Sequence, residues 1–168
     1  MLNMNQIEQK ASKIKMIVFD VDGVLTDGRI IYTASGDEIK CFNVKDGLGI
    51  ASAIKKGLIG CIITARTSAA IEIRAKELKI QHLFQGVKDK KAILKQVALE
   101  HRIHLDEVFY MGDDLPDIPA LEIVGLSCCP ADASEEVKEI CHWITQKNGG
   151  LGAAREATDL IMRKSLSE

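Results

Sequence analysis

Asp20 and Asp22 stand one residue apart in "IVFDVDGVLTDG", directly after an apolar run and directly before Gly23. Thr64 closes a second apolar run, and Asp113, Asp114 and Asp117 follow a third in "GDDLPD". Aspartate is a poor strand former and is seldom buried without a partner, so hydrophobic stretches ending in carboxylates need a reason. Gathered in one place, these acids repel one another unless a cation shares them. Hard oxygen donors with few histidines nearby favour Mg2+ over zinc or copper. Magnesium keeps waters and engages phosphate oxygens, which points to phosphoryl chemistry. One carboxylate would attack phosphorus, the metal and cations would hold the equatorial oxygens, and a neighbouring acid would handle the proton.

The elements that must position these residues are legible as a rhythm. "KMIVF" (15–19), "LIGCII" (58–63), "VFYM" (108–111) and "VGLSCC" (124–129) are apolar on successive positions, as strands covered on both faces are. Between them, 46–56, 68–79 and 89–102 place apolar residues at three-to-four spacing, the mark of amphipathic helices. Gly57 suits the position after the first helix and Ser68 the N-cap of the second. Alternating strands and helices predict right-handed crossovers and a doubly wound α/β fold with a mostly parallel sheet. Such sheets bind ligands at the carboxyl ends of their strands, the rim that Asp20, Thr64 and Asp113 would share. The stretch 29–44, two β-rich arms around "ASGDE", reads instead as a hairpin that needs something to pack on.

Composition bounds the rest. The 168 residues suit a single domain over 1–168, 46% are hydrophobic and 27% charged, and a net charge of -2 with interspersed signs argues against nucleic-acid or membrane-surface binding. No signal peptide or run of membrane-spanning length is evident, so a cytoplasmic location is expected. Five cysteines without CxxC spacing suggest reduced thiols used as small hydrophobes. His101 and His104, spaced to share a metal, fall at an exposed helix end and read as solvated; His142 and Trp143 read as packing residues.

"DVDGVLTDG", "ITAR", "GVKDK" and "GDDLPD", in that order between residues 17 and 117, resemble the four-motif signature of the haloacid dehalogenase superfamily of phosphotransferases. The resemblance implies a Mg2+-dependent phosphatase in which Asp20 is the nucleophile and Asp22 first the general acid, then the base that activates water. Thr64 would hydrogen-bond the phosphoryl group and Lys90 would neutralise charge on it; Lys90 is chosen over Lys88 and Lys91 because it completes G-x-x-[DE]-K from Gly86. Asp20, the backbone carbonyl of Asp22 and Asp113 would ligate Mg2+, with Asp117 and Asp114 in supporting positions. No cap domain fits between the motifs, so the hairpin stands in place of one.

Further segments, "FNVKDGLGI", "RTS", "RAKELKI", "PADA" and "GGLGAARE", resemble the 3-deoxy-D-manno-octulosonate 8-phosphate phosphatase family. That resemblance implies a phosphorylated sugar-acid substrate, a product that feeds lipopolysaccharide synthesis, and a homotetramer whose hairpins form a central barrel. Ala65 departs from the family's usual glycine, which could supply a special backbone angle. Arg66 is the leading candidate to grip the substrate carboxylate, with Thr67, Lys45, Asp46 and Arg155 as further pocket candidates. The related N-acylneuraminate 9-phosphate phosphatases typically carry glutamate at the Arg66 position. The tail 148–168 is expected either to dock as a helix or to act as a lid, with Arg155 reaching a site on the same or an adjacent subunit. A phospho-accepting receiver domain is the non-enzyme alternative, though there the phosphorylated aspartate follows the third strand.

Overall fold

Along each central strand, successive side chains go to opposite cores. In β1 (Met16–Phe19), Met16 and Val18 face one hydrophobic cluster while Ile17 and Phe19 face the other. The computed structural model describes residues 2–164, so 165–168 of the expected tail lie outside the described residues. The chain runs α1 (Met4–Ala11), β1, β2 (Ile31–Tyr32), β3 (Glu38–Ile39), α2 (Val44–Lys55), β4 (Ile59–Ile63), α3 (Ala69–Glu77), β5 (His82–Phe84) and α4 (Lys90–Glu100). It continues through β6 (Val108–Met111), α5 (Ile118–Leu121), β7 (Leu126–Cys129), α6 (Glu135–Ile140), β8 (Trp143–Ile144) and α7 (Ala153–Lys164).

Six strands form one sheet in the order β5-β4-β1-β6-β7-β8, and each neighbouring pair is parallel. Ile7 of α1, Ile50 of α2, Ile71 of α3 and Ala157 of α7 cover one face; Leu94 of α4, Leu121 of α5 and Val137 of α6 cover the other. This is the doubly wound arrangement the sequence predicts. Chain order reverses direction beside β1, the switch point where such sheets open a crevice. Register then fixes the site: Phe19 pairs with Ile62 on one side and Met111 on the other, so β1 and β6 end level and β4 runs one residue further. Phe19 and Phe109 pack with ring centroids 5.8 Å apart beneath that rim.

Several local expectations change. The hairpin's paired arms are two residues each, β2 and β3, and Val44 already belongs to α2, whose N-cap is Asn43. Ser68 precedes α3 but makes no side-chain cap; its N–H instead donates to Gln85 Oε1 at 2.8 Å. Gly57 does take the left-handed conformation (φ +100) that ends α2. Helix α1 was not expected, because only Ile7 and Ala11 of its eight residues are buried; a reciprocal Asn3–Gln6 capping box starts it.

The described part of the tail, residues 148–164, is docked on the chain. Helix α7 lies against α2 at Gly49, where a Cβ would come 2.3 Å from Thr158 Oγ1 and 3.2 Å from the Arg155 Cα. The segment leading into α7 is also fastened, with Gly150 N–H donating to Val24 O at 2.9 Å and Asn43 Nδ2 donating to Gly150 O at 3.1 Å. All five cysteines are free, four of them buried and Cys41 exposed, as small hydrophobes would be. His142 packs as expected, accepting from Ser127 N–H at 3.0 Å, whereas His101 meets His82 with 2.6 Å between their Nε2 atoms.

Candidate active site

Asp20 leaves the end of β1 with its N–H donating to Met111 O at 3.0 Å, which ties it to the end of β6. Lys90 opens α4 after Asp89, whose side chain caps the helix through Ala92 N–H at 3.0 Å. A cation at a helix N-terminus opposes the helix dipole, and this one is 4% exposed, so it needs anionic partners. It has two: Asp20 Oδ1 at 2.9 Å and Asp117 Oδ1 at 2.7 Å. Burial pulls the Lys90 ammonium down, but those carboxylates outweigh it and hold its pKa above the usual lysine value. The same Asp117 oxygen accepts from Tyr110 OH at 2.7 Å, and Asp117 Oδ2 accepts from Asp113 N–H at 3.2 Å. Burial, then the nearby carboxylates, raise the Tyr110 phenol, so it stays a donor.

Asp20, Asp113 and Asp117 bring carboxylate oxygens within 4.8 Å of one another. Burial, then repulsion from Asp117, push Asp20 up to about 6 against the pull of Lys90. Burial, then the charges of Asp20, Asp117 and Asp114, push Asp113 up to about 8. Asp113 Oδ1 is buried without a hydrogen-bond partner. A cluster of crowded, under-neutralised hard oxygens fits a small divalent cation. Gly23 makes the approach possible: at φ +88, a Cβ there would lie 2.0 Å from Asp113 Oδ2.

Beside this cluster a cavity of about 140 Å³ is lined by Asp22, Thr64, Arg66, Lys90 and Asp114. Thr64 is fixed at the end of β4, donating to Phe84 O and accepting from Val87 N–H, both at 3.0 Å. Ala65 is not among the described non-glycine residues with positive φ, so its methyl imposes no left-handed strain.

A family model for haloacid dehalogenase-like hydrolases matches residues 83–156. The 3-deoxy-D-manno-octulosonate 8-phosphate phosphatase of Yersinia pestis is 40% identical over 158 residues, covering 94% of this chain and 84% of the relative. The chain belongs to that phosphatase family. A probable YrbI family phosphatase from Pseudomonas syringae superposes with a TM-score of 0.95 at 46% identity, covering 96% of this chain and 92% of the other. The 3-deoxy-D-manno-octulosonate 8-phosphate phosphatase of Moraxella catarrhalis, solved with magnesium, phosphate and KDO, superposes at 0.94 with 43% identity, covering 96% and 93%. Membership in this phosphatase family removes the receiver-domain alternative.

The remaining candidates divide. Arg66 lines the cavity, but its Nη2 is held by Glu38 Oε1 of the hairpin at 2.5 Å. Hydrogen bonding to Glu38, then to Tyr32, raises the Arg66 pKa. Asp114 is at the rim and caps the following turn through Leu115 N–H at 2.8 Å. Lys45 and Thr67 are exposed and do not line the cavity. Asp46, expected in the pocket, is instead buried under α7, where its carboxylate accepts from Gly152 N–H at 3.1 Å and Arg155 N–H at 2.8 Å. Burial raises its pKa against those bonds. Arg155 likewise does not line the cavity of its own chain; its Nε pairs with Asp159 at 2.8 Å, one turn along α7. Within the chain α7 is docked: Asp46 accepts from the N–H groups of Gly152, just before the helix, and Arg155, in its first turn, and Gly49 lets the helix pack closely. Three residues escaped the sequence reading: Tyr110, hidden inside an apolar strand, and Glu38 and Lys40, whose i, i+2 spacing in "DEIK" puts both on one hairpin face.

Proposed function

We propose that the protein hydrolyses 3-deoxy-D-manno-octulosonate 8-phosphate to 3-deoxy-D-manno-octulosonate and phosphate, a reaction of lipopolysaccharide synthesis. The observation that carries this reading is 40% identity to a phosphatase of that name across 94% of the chain. The gathering of Asp20, Asp22, Thr64, Lys90 and Asp113 around one cavity supports the mechanism.

In this reading an Asp20 carboxylate oxygen attacks phosphorus, and the bond from phosphorus to the sugar oxygen breaks. Asp22 gives its proton to the departing alkoxide. Asp22, now a carboxylate, takes a proton from water as that water attacks the aspartyl phosphate, releasing phosphate and restoring Asp20. Lys90 balances charge on Asp20 and the phosphoryl oxygens, and Tyr110 and Asp117 hold Lys90 in place. Thr64 offers its hydroxyl to a phosphoryl oxygen. Asp20, Asp113 and the backbone carbonyl of Asp22 would hold Mg2+, with Asp117 and Asp114 supporting; the ion neutralises the acids and the equatorial phosphoryl charge.

Arg66, turned away from Glu38 when substrate enters, would bind the sugar-acid carboxylate bidentately. The exposed Ile30, Ile31, Tyr32 and Ile39 of the hairpin support a homotetramer, because apolar side chains clustered on a small hairpin gain most from a protein partner. A cytoplasmic location accords with this chemistry, and no described helix is long and apolar enough to cross a membrane.

Phosphate release, with and without Mg2+, from octulosonate 8-phosphate and N-acylneuraminate 9-phosphate tests the reading. Preference for the first, lost on removing Mg2+, is expected. Preference for the second would keep the mechanism and overturn the substrate.

A further inference from the structure

Lys40 of the hairpin has a side chain only 2% exposed, although its neighbours Ile39 and Cys41 are exposed. An ammonium withdrawn from water must be paired, and the pairs it makes lie in the site. Its Nζ is in hydrogen-bond contact with Asp22 Oδ1 and lies 3.5 Å from Glu38 Oε1. Glu38 holds Arg66, and Arg66 Nε returns to Asp22 Oδ2 at 3.8 Å. Two acids and two cations thus close a ring around Asp22, and the hairpin contributes one of each. The two oxygens of Asp22 are not equivalent: Oδ1 is anchored by Lys40, whereas Oδ2 is buried with no hydrogen-bond partner.

We propose that Lys40 is a positioning residue for Asp22, anchoring Oδ1 so that Oδ2 is presented to the leaving-group oxygen. This rests on the acid–base role given to Asp22 above. The hairpin, in place of a cap domain, thereby reaches into the chemistry as well as covering it. A salt-bridge strut that merely fastened the hairpin would affect every substrate alike. A residue that aims a general acid matters in proportion to the leaving group's need for a proton.

The test compares kcat/KM for an alkyl sugar phosphate with that for p-nitrophenyl phosphate, whose phenolate departs without protonation. Asp22→Asn sets the scale: an aligned general acid contributes roughly 10²–10⁴-fold, lost on the alkyl substrate alone. Lys40→Met is expected to lose at least about tenfold on the alkyl phosphate and under about threefold on the aryl one, within that scale. Lys40→Arg, which keeps the cation, should recover most of the loss. If Lys40→Met does not fold, Lys40→Gln takes its place with a shorter neutral donor. Equal losses on both substrates, with faster hydrogen exchange across 37–41, would reduce Lys40 to a strut and overturn the proposal. Unchanged rates on both would overturn it too. If Asp22→Asn shows no dependence on the leaving group, the role of Asp22 falls, and Lys40's with it. If only Asp22→Asn shows it, the proposal for Lys40 alone falls.

Discussion

Asp117 accepts from Lys90 and Tyr110 on one oxygen and from the Asp113 N–H on the other, so it joins β6, α4 and the acidic loop in one network. Asp20→Asn should abolish turnover while leaving the fold intact, checked by phosphate release beside circular dichroism. Tyr110→Phe removes one bond to a buried charge and should cost about 1–3 kcal/mol of stability, measured by denaturant unfolding. The crowded acids also set a pH dependence. Asp20 and Asp113 titrate near 6 and near 8 in the folded chain, both above the usual aspartate value of 3.8. The folded state therefore holds protons that the unfolded chain has released, and metal-free stability falls as pH rises from about 4 to about 8. Mg2+ reverses that penalty, so its shift of the melting temperature should be small at pH 5.5 and largest above pH 8. A shift independent of pH would contradict this account of the cluster.

At the scale of elements, α7 depends on Asp46. Asp46→Ala leaves the N–H groups of Gly152 and Arg155 without their acceptor and should cost about 1–2 kcal/mol, with little change in kcat. Asp46 sits between Lys45 and Gly47 in a stretch that reads equally well as a pocket edge, and its acceptor role appears only when residues 152–155, over a hundred positions later, fold onto it. The strands and their terminal acids were legible because each signal is local: an apolar run, then a carboxylate. Lys90 was legible only through the resemblance, as the lysine that completes the family's G-x-x-[DE]-K pattern from Gly86. Partners such as Glu38 for Arg66 and Lys40 for Asp22 were not, because a hairpin charge carries no local mark of which rim it will meet. Helix α1 was missed for a different reason: two buried positions in eight residues give almost no periodicity to read.

For the whole molecule, one rim carries the proposed chemistry and the hairpin beside it carries the exposed apolar surface. If Ile31 and Tyr32 are buried between copies of the chain, Ile31→Glu should shift sedimentation from tetramer towards monomer. A wild-type monomer with full activity would remove the tetramer from the account. The hairpin has a further consequence. Its two paired arms are only two residues long, and its ties to the site include the charged contacts of Lys40 and Glu38 with Asp22 and Arg66, beside the hydrogen bond between Arg66 and Tyr32. Arg66 is 40% exposed, so dissolved ions reach that contact, and at 1 M salt the screening length shrinks to about 3 Å. Ionic strength therefore acts as a dial on how tightly the site is covered: concentrated salt loosens the Glu38 grip on Arg66 while screening the same guanidinium from an incoming carboxylate. Opposed effects of that kind give an optimum, so turnover at low substrate should peak at intermediate salt instead of declining steadily.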